Sequence, residues 1–279
     1  MRATLLASLL TLSCASTTAT SDRAHLDAMS REHARDTPTA NASAMEPRVA
    51  VTTEEVTYGE LDGRPLRGYF ARPAESAESA PAVLVIHEWW GLNDNVRMMT
   101  RRLAGEGYQA LAVDMYGGRS ASTPEEARAL MGEVMAHRDA GVANLRAGAA
   151  YLRTQRRAGR MGVVGWCFGG GWSLQAALNL PEAVDAAVMY YGHPVTDRAQ
   201  LDRLDAPLLG LFGEADTGIP VATVREMETA LRDLHKDVTI QVYPGARHAF
   251  ANPSGQSYEP EAAADAWRRT TEFFARTLR

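Results

Sequence analysis

Five runs of nearly unbroken apolar residues limit what this chain can become. They are "PAVLVI" (81–86), "YQALAVDM" (108–115), "MGVVGW" (161–166), "VDAAVMYY" (184–191) and "APLLGLFG" (206–213). A run of this kind has no polar face, so both sides must be buried, as in a central strand of a parallel sheet. Between the runs lie helical patterns with start and stop signals. Asn93 or Asp94 can cap a helix that ends near Gly105 and Gly107. Thr123, Pro124, Glu125 and Glu126 open another over 123–137. Further helices are predicted from about Asp139 to Arg157 and over 169–180, 221–235 and 259–278, with a strand at 238–244. Residues 51–72 alternate apolar and polar about an "LDGRP" turn and predict a hairpin. Strands alternating with helices imply an α/β domain over 51–279 in which a mostly parallel sheet carries helices on both faces. Ligands in such sheets bind beyond the carboxyl ends of the strands. Chemistry is therefore to be sought just after each strand.

The segments before residue 51 read differently. Arg2, the apolar "ATLLASLLTL" and the small residues "SCAS" form an export signal over 1–15. Two processings fit: cleavage after Ala15, or lipidation of Cys14 in "TLSC", which resembles a bacterial lipobox with Thr11 where Leu is usual. The expected location is the periplasm or, through a lipid anchor, a membrane surface. Residues 16–50 are rich in Ala, Ser, Thr and charge, show no sustained apolar face, and read as a flexible tether. With a net charge of −5 the chain offers no basic stripe for nucleic acid. HExxH and CxxC patterns are absent and the seven histidines are scattered, so no metal site is expected.

Cys167 follows the strand run "MGVVGW" and precedes a helix, bracketed by Gly165 and Gly169. A sharp strand-to-helix turn needs small flanking residues, and it presents its central side chain at the sheet top. A helix N-terminus there favours thiolate. A structural cysteine or a phosphate-binding glycine loop would also use this pentapeptide, although the Lys and Ser/Thr of a P-loop are missing. His248 follows the run "VTIQVYP", and Asp216, with Glu214 as competitor, follows "APLLGLFG". The order nucleophile, acid, base suits a hydrolase triad. Each residue alone is a weak signal; three reactive types at three strand ends, in this order, are a strong one. Glu88 ends the run "VLVIHE", where it can hold or deprotonate the thiol. Backbone N–H groups of Trp89 and Phe168 are candidates for an oxyanion hole. His87 reads as structural, and His193 falls out of order.

The motifs "VIHEWWGLND", "GVVGWCFGGG", "LFGEADTGIP" and "YPGARHAFAN" together resemble the dienelactone hydrolase family of α/β-hydrolases, over about residues 51–279. The resemblance implies a cofactor-free hydrolase of an ester or lactone. Cys167 would be its nucleophile, His248 its base, Asp216 the orienting acid and Glu88 a thiol-engaging carboxylate. Tyr190 would line the substrate pocket, and Arg128 is a loose match to a carboxylate-binding arginine. A second such arginine of the family is replaced by Asn252, which argues against dienelactone itself as substrate. The competing reading from another class is a non-catalytic binding lipoprotein on the same scaffold.

Overall fold

The computed structural model describes residues 22–36, 38, 45–75 and 79–279. The hairpin comes first: β1 (Val51–Leu61) pairs antiparallel with β2 (Arg64–Pro73). Asp62 and Gly63 join them, both with positive φ (50° and 72°). That geometry matches the right-handed twist of the flanking strands, and Asp-Gly is a residue pair that adopts it readily. Strands β3 (Ala82–Ile86), β4 (Gln109–Val113), β5 (Met161–Trp166), β6 (Ala186–Tyr190), β7 (Leu208–Gly213) and β8 (Val238–Tyr243) complete an eight-stranded sheet in the order β1-β2-β4-β3-β5-β6-β7-β8. From β4 to β8 all neighbours are parallel, whereas β2 meets β4 antiparallel.

Every residue of β3 through β7 is buried. Successive strand residues point to opposite faces, so both faces of the sheet are covered. The covering helices begin with α2 (Asp94–Gly105), capped by Asn93, whose side chain accepts from the Val96 N–H. α3 (Pro124–Ala136) is capped in the same way by Thr123. α4 (Arg138–Thr154) lies so close to the sheet at Gly148 that an added Cβ would stand 2.9 Å from both Leu84 and Val113. α5 (Phe168–Asn179), the short α6 (Arg198–Leu201), α7 (Val221–Asp233) and α8 (Pro260–Leu278) follow. Phe274 and Leu278 of α8 close over Gly162 of β5.

One expectation is corrected. Part of the segment read as a flexible tether is folded: residues 22–32 form a helix, α1, and a turn follows over 33–35. His25, Met29 and His33 are buried. They recur every four residues, which is one face of a helix. A scan for apolar stripes misses this face because two of its three members are histidines. The polar side of α1 is tied down by ion pairs, Asp22 with Arg138 and Asp27 with Arg128 at 2.6 Å. The predicted signal and Cys14 lie outside the described residues. Among the described residues no helix is long and apolar enough to cross a membrane.

The docking of α1 makes a prediction. Backbone amides of residues 26–32 should exchange slowly with solvent in the native protein. They should lose that protection in Met29→Asp, which puts a charge into a buried site. Exchange as fast as in an unstructured peptide, in the unmodified chain, would show that α1 does not dock.

Candidate active site

Cys167 sits between β5 and α5 with φ 54° and ψ −117°. A non-glycine residue in this region carries strain of roughly 1–3 kcal/mol, which the surrounding packing must sustain. The glycines on either side explain how. A Cβ on Gly165 would stand 2.0 Å from the Gly169 carbonyl oxygen, and one on Gly169 would stand 2.3 Å from the Ile86 carbonyl oxygen. The turn thus closes backbone against backbone with no room for a methyl group. The Cys167 N–H donates to the Tyr190 carbonyl at 3.1 Å, and its carbonyl accepts from the Gly171 N–H at 3.2 Å. Phe168 opens α5, so its N–H has no acceptor within the helix. Trp89 follows β3 in the adjacent loop and is fully buried.

His248 and Asp216 are brought together from loops after β8 and β7. Asp216 Oδ1 accepts from the Gly218 and Ile219 N–H groups at 2.9 and 2.8 Å. Its Oδ2 lies 2.7 Å from His248 Nδ1. With two backbone donors on one oxygen the carboxylate is fixed, and it fixes the proton of the imidazole on Nδ1. That leaves Nε2 for the thiol. A nitrogen of the His248 ring lies within 4.8 Å of Cys167 Sγ. Glu214, the competing acid, accepts instead from the Gly245 N–H on the surface.

The electrostatics favour a charge-separated pair. Burial pushes the Cys167 thiol up, but the charge and hydrogen bond of His248, then of His33, outweigh it and leave the thiol at about 6. Burial opposes protonation of His248, yet Asp216 and then Cys167 hold it well above the ordinary histidine range. Thiolate and imidazolium therefore stabilise one another.

Glu88 is raised to about 7, first by burial and then by the Cys167 charge. It does not hydrogen-bond the thiol. Its Oε2 accepts from Asn252 Nδ2 at 2.6 Å, and its Oε1 accepts from the Tyr191 hydroxyl at 3.4 Å. Asn252 in turn is held by Asn95 at 2.9 Å. The residue that stands in place of the family's arginine thus serves to clamp the glutamate. A cavity of about 20 Å³ opens beside Glu88, lined also by Met99, Trp166, Tyr191 and Asn252. It has room for about one water.

Two sequence candidates stand elsewhere. The Tyr190 hydroxyl bonds Thr270 of α8 at 2.7 Å and does not reach the thiol; its neighbour Tyr191 packs edge-on against His248 at 5.2 Å. Adjacent residues at a strand end leave on opposite sides, and the resemblance gives no means of choosing between them. Arg128 pairs with Asp27 of α1. His87, read as structural, lies within 2.6 Å of the Glu88 carbonyl through Nδ1 and accepts from the Met115 N–H through Nε2.

The residues that sequence reasoning missed are Met29 and His33. Met29 Sδ lies 3.9 Å and His33 Nε2 3.8 Å from Cys167 Sγ. His33 also stacks on Trp89 with ring centres 4.4 Å apart. The end of α1 therefore roofs the site, and Cys167 is only 2% exposed.

The sequence profile of the dienelactone hydrolase family matches residues 66–278. The chain belongs to the dienelactone hydrolase family. It is 34% identical over 226 residues to Protein usf of Aquifex pyrophilus, covering 78% of this chain and 96% of that protein. A protein of Methylorubrum extorquens, provisionally named carboxymethylenebutenolidase, is 36% identical over 260 residues, covering 85% and 88%. A crystal structure from Klebsiella pneumoniae, provisionally assigned as a dienelactone hydrolase, superposes with a TM-score of 0.73 at 32% identity, covering 81% of this chain and 99% of that one. The family assignment makes the protein a hydrolase with the α/β-hydrolase fold.

Two outcomes follow from this geometry. The ultraviolet absorbance of thiolate should appear as pH rises through about 6, because the folded-state acidity of Cys167 is increased. His248, His33, Glu88, Tyr116 and Tyr191 all face the sulfur, and Asp216→Asn should move the midpoint upward by weakening the imidazolium. A midpoint in the ordinary range near 8.5 would contradict the ion pair. Separately, Gly165→Ala should lower the melting temperature by an amount equivalent to about 3 kcal/mol, since backbone must move to admit the methyl group.

Proposed function

We propose that the protein is a cysteine-dependent hydrolase of carboxylic esters or lactones that works through an acyl-enzyme. The observation that carries the reading is the pairing of a strained, helix-capping Cys167 with the His248–Asp216 couple at 2.7 Å. The Cys167 thiolate attacks the carbonyl carbon, and the carbonyl π-electrons move to oxygen. The Trp89 and Phe168 N–H groups are the candidates to hold that oxyanion. Collapse breaks the C–O bond, and the proton on His248 Nε2 goes to the departing alkoxide. The imidazole, now neutral, takes a proton from water, hydroxide attacks the thioester, and the thiolate leaves as the acid forms. Asp216 keeps Nδ1 protonated throughout. Glu88, clamped by Asn252, acts in this scheme as a neighbouring charge that limits where the thiol proton can reside.

The favoured substrate class is the uncharged ester or lactone. Recognition of a substrate carboxylate by a bidentate arginine has little support here: Asn252 is spent on Glu88, and Arg128 is paired with Asp27. The N-terminal features of the sequence fit an exported protein, either periplasmic or anchored by lipid at Cys14.

Cys167→Ala should abolish p-nitrophenyl acetate turnover in the purified full chain, whereas Asp216→Asn should reduce kcat by roughly ten thousandfold or less. Undiminished turnover in Cys167→Ala would end the cysteine mechanism. For specificity, kcat/KM for neutral aryl esters should exceed that for a lactone carrying a free carboxylate. The reverse ranking would restore a carboxylate-binding role to Arg128.

A further inference from the structure

We propose that His33, Cys167 and His248 form a binding site for a single thiophilic d10 metal ion, with Cu(I) preferred over Zn(II). The three side chains come from the turn after α1, the β5–α5 turn and the loop after β8, and all three are buried. One donor atom from each lies within 4.8 Å of the others. The His33 Nε2–Sγ separation is 3.8 Å. A metal about 2.3 Å from sulfur and about 2.0 Å from nitrogen, in tetrahedral geometry, requires roughly 3.5 Å between those donors. That edge of the site needs only a small contraction to close, and the other two edges are within 4.8 Å.

The arrangement around the donors is independent of the distances and points the same way. Both imidazoles are held at Nδ1 by a carboxylate, His33 by Asp36 at 2.9 Å and His248 by Asp216 at 2.7 Å. This is the outer-shell pattern that orients metal-bound histidines and raises their basicity. It leaves Nε2 of each ring as the atom on which a metal can take the place of a proton. The hydrolytic scheme accounts for the His248–Asp216 couple, but it gives no task to a second histidine–carboxylate couple at the same sulfur. His248 Nε2 is buried and, among the described residues, pairs with nothing other than the Cys167 thiol. A metal between them would satisfy both atoms.

The donor set selects the ion. Met29 Sδ, at 3.9 Å from Sγ, adds a thioether to a thiolate and two imidazoles. Thioether and thiolate donors favour Cu(I). On binding, the metal takes the thiolate sulfur and replaces the proton that the thiolate–imidazolium pair keeps on His248 Nε2; that proton leaves to solvent, and no electron is transferred. The nucleophile is then blocked, so the metal form would be inactive as a hydrolase.

The test uses the purified full chain under anaerobic conditions, with Cu(I) or Zn(II) buffered by a chromophoric chelator and bound metal quantified after dialysis. One equivalent of Cu(I) should bind. His33→Ala and His33→Gln should each weaken binding by roughly a hundredfold or more, and Asp36→Asn by on the order of tenfold. Met29→Leu should weaken Cu(I) but leave Zn(II) affinity unchanged, while His235→Ala, at an exposed histidine, should alter neither. X-ray absorption of the Cu(I) form should show sulfur and imidazole ligands. Absence of stoichiometric Cu(I) binding, or His33 variants that bind as tightly as the parent chain, would overturn the proposal. These are direct binding readouts, so a failure of ester hydrolysis would strike the functional reading and leave this one standing.

Discussion

The contact on which the site depends is between two backbones. Gly165 and Gly169 approach so closely that the carbonyl of one occupies the space where a side chain of the other would be. This closure holds Cys167 in a conformation that an L-residue does not adopt freely, and it starts α5 directly beneath the sulfur. Strain in the turn is sustained because both neighbours are anchored, β5 between β3 and β6, and α5 against the same strands. The result is a sulfur whose position is set by the sheet, not by its own rotamer. The histidine and the carboxylate then need only be delivered by loops after later strands, as the parallel topology allows.

Around that fixed point the electrostatic design is one of mutual dependence. Burial alone would make the thiol a poorer acid and the imidazole a poorer base. The thiol is instead lowered by His248 and His33, and the imidazole is raised by Asp216 and Cys167, with the Asp216 side chain held in place by two backbone N–H groups. Glu88 sits in the same low-dielectric space and is pushed toward its neutral form. Its side chain is committed to Asn252 and Tyr191. The position that departs from the family pattern is therefore not idle; it has been recruited to restrain an acid beside the nucleophile.

Much of this was legible in the sequence, for reasons that are local. β3 through β7 announce themselves because a strand covered on both faces can carry no polar residue, and α2 and α3 because Asn93 and Thr123 satisfy first-turn amides within three residues of themselves. Cys167, Asp216 and His248 stand out by falling at strand ends. What escaped was non-local or depended on side-chain direction. Nothing within residues 22–36 reveals that Met29 and His33 meet a cysteine more than a hundred positions away. Histidines spaced by four residues do not register as an apolar face. The distinction between Tyr190 and Tyr191 rests on a single step of strand alternation, and the clamp of Asn252 on Glu88 spans two distant loops.

The roof over the sulfur is fastened by a buried face and by charge. Asp22, Asp27 and Glu32 of α1 face Arg138, Arg128 and Arg247, groups that range from nearly buried to well exposed. Such pairs are screened within a Debye length of about 8 Å at physiological ionic strength. Added electrolyte therefore acts on the outer pairs alone, while the face of His25, Met29 and His33 lies beyond its reach.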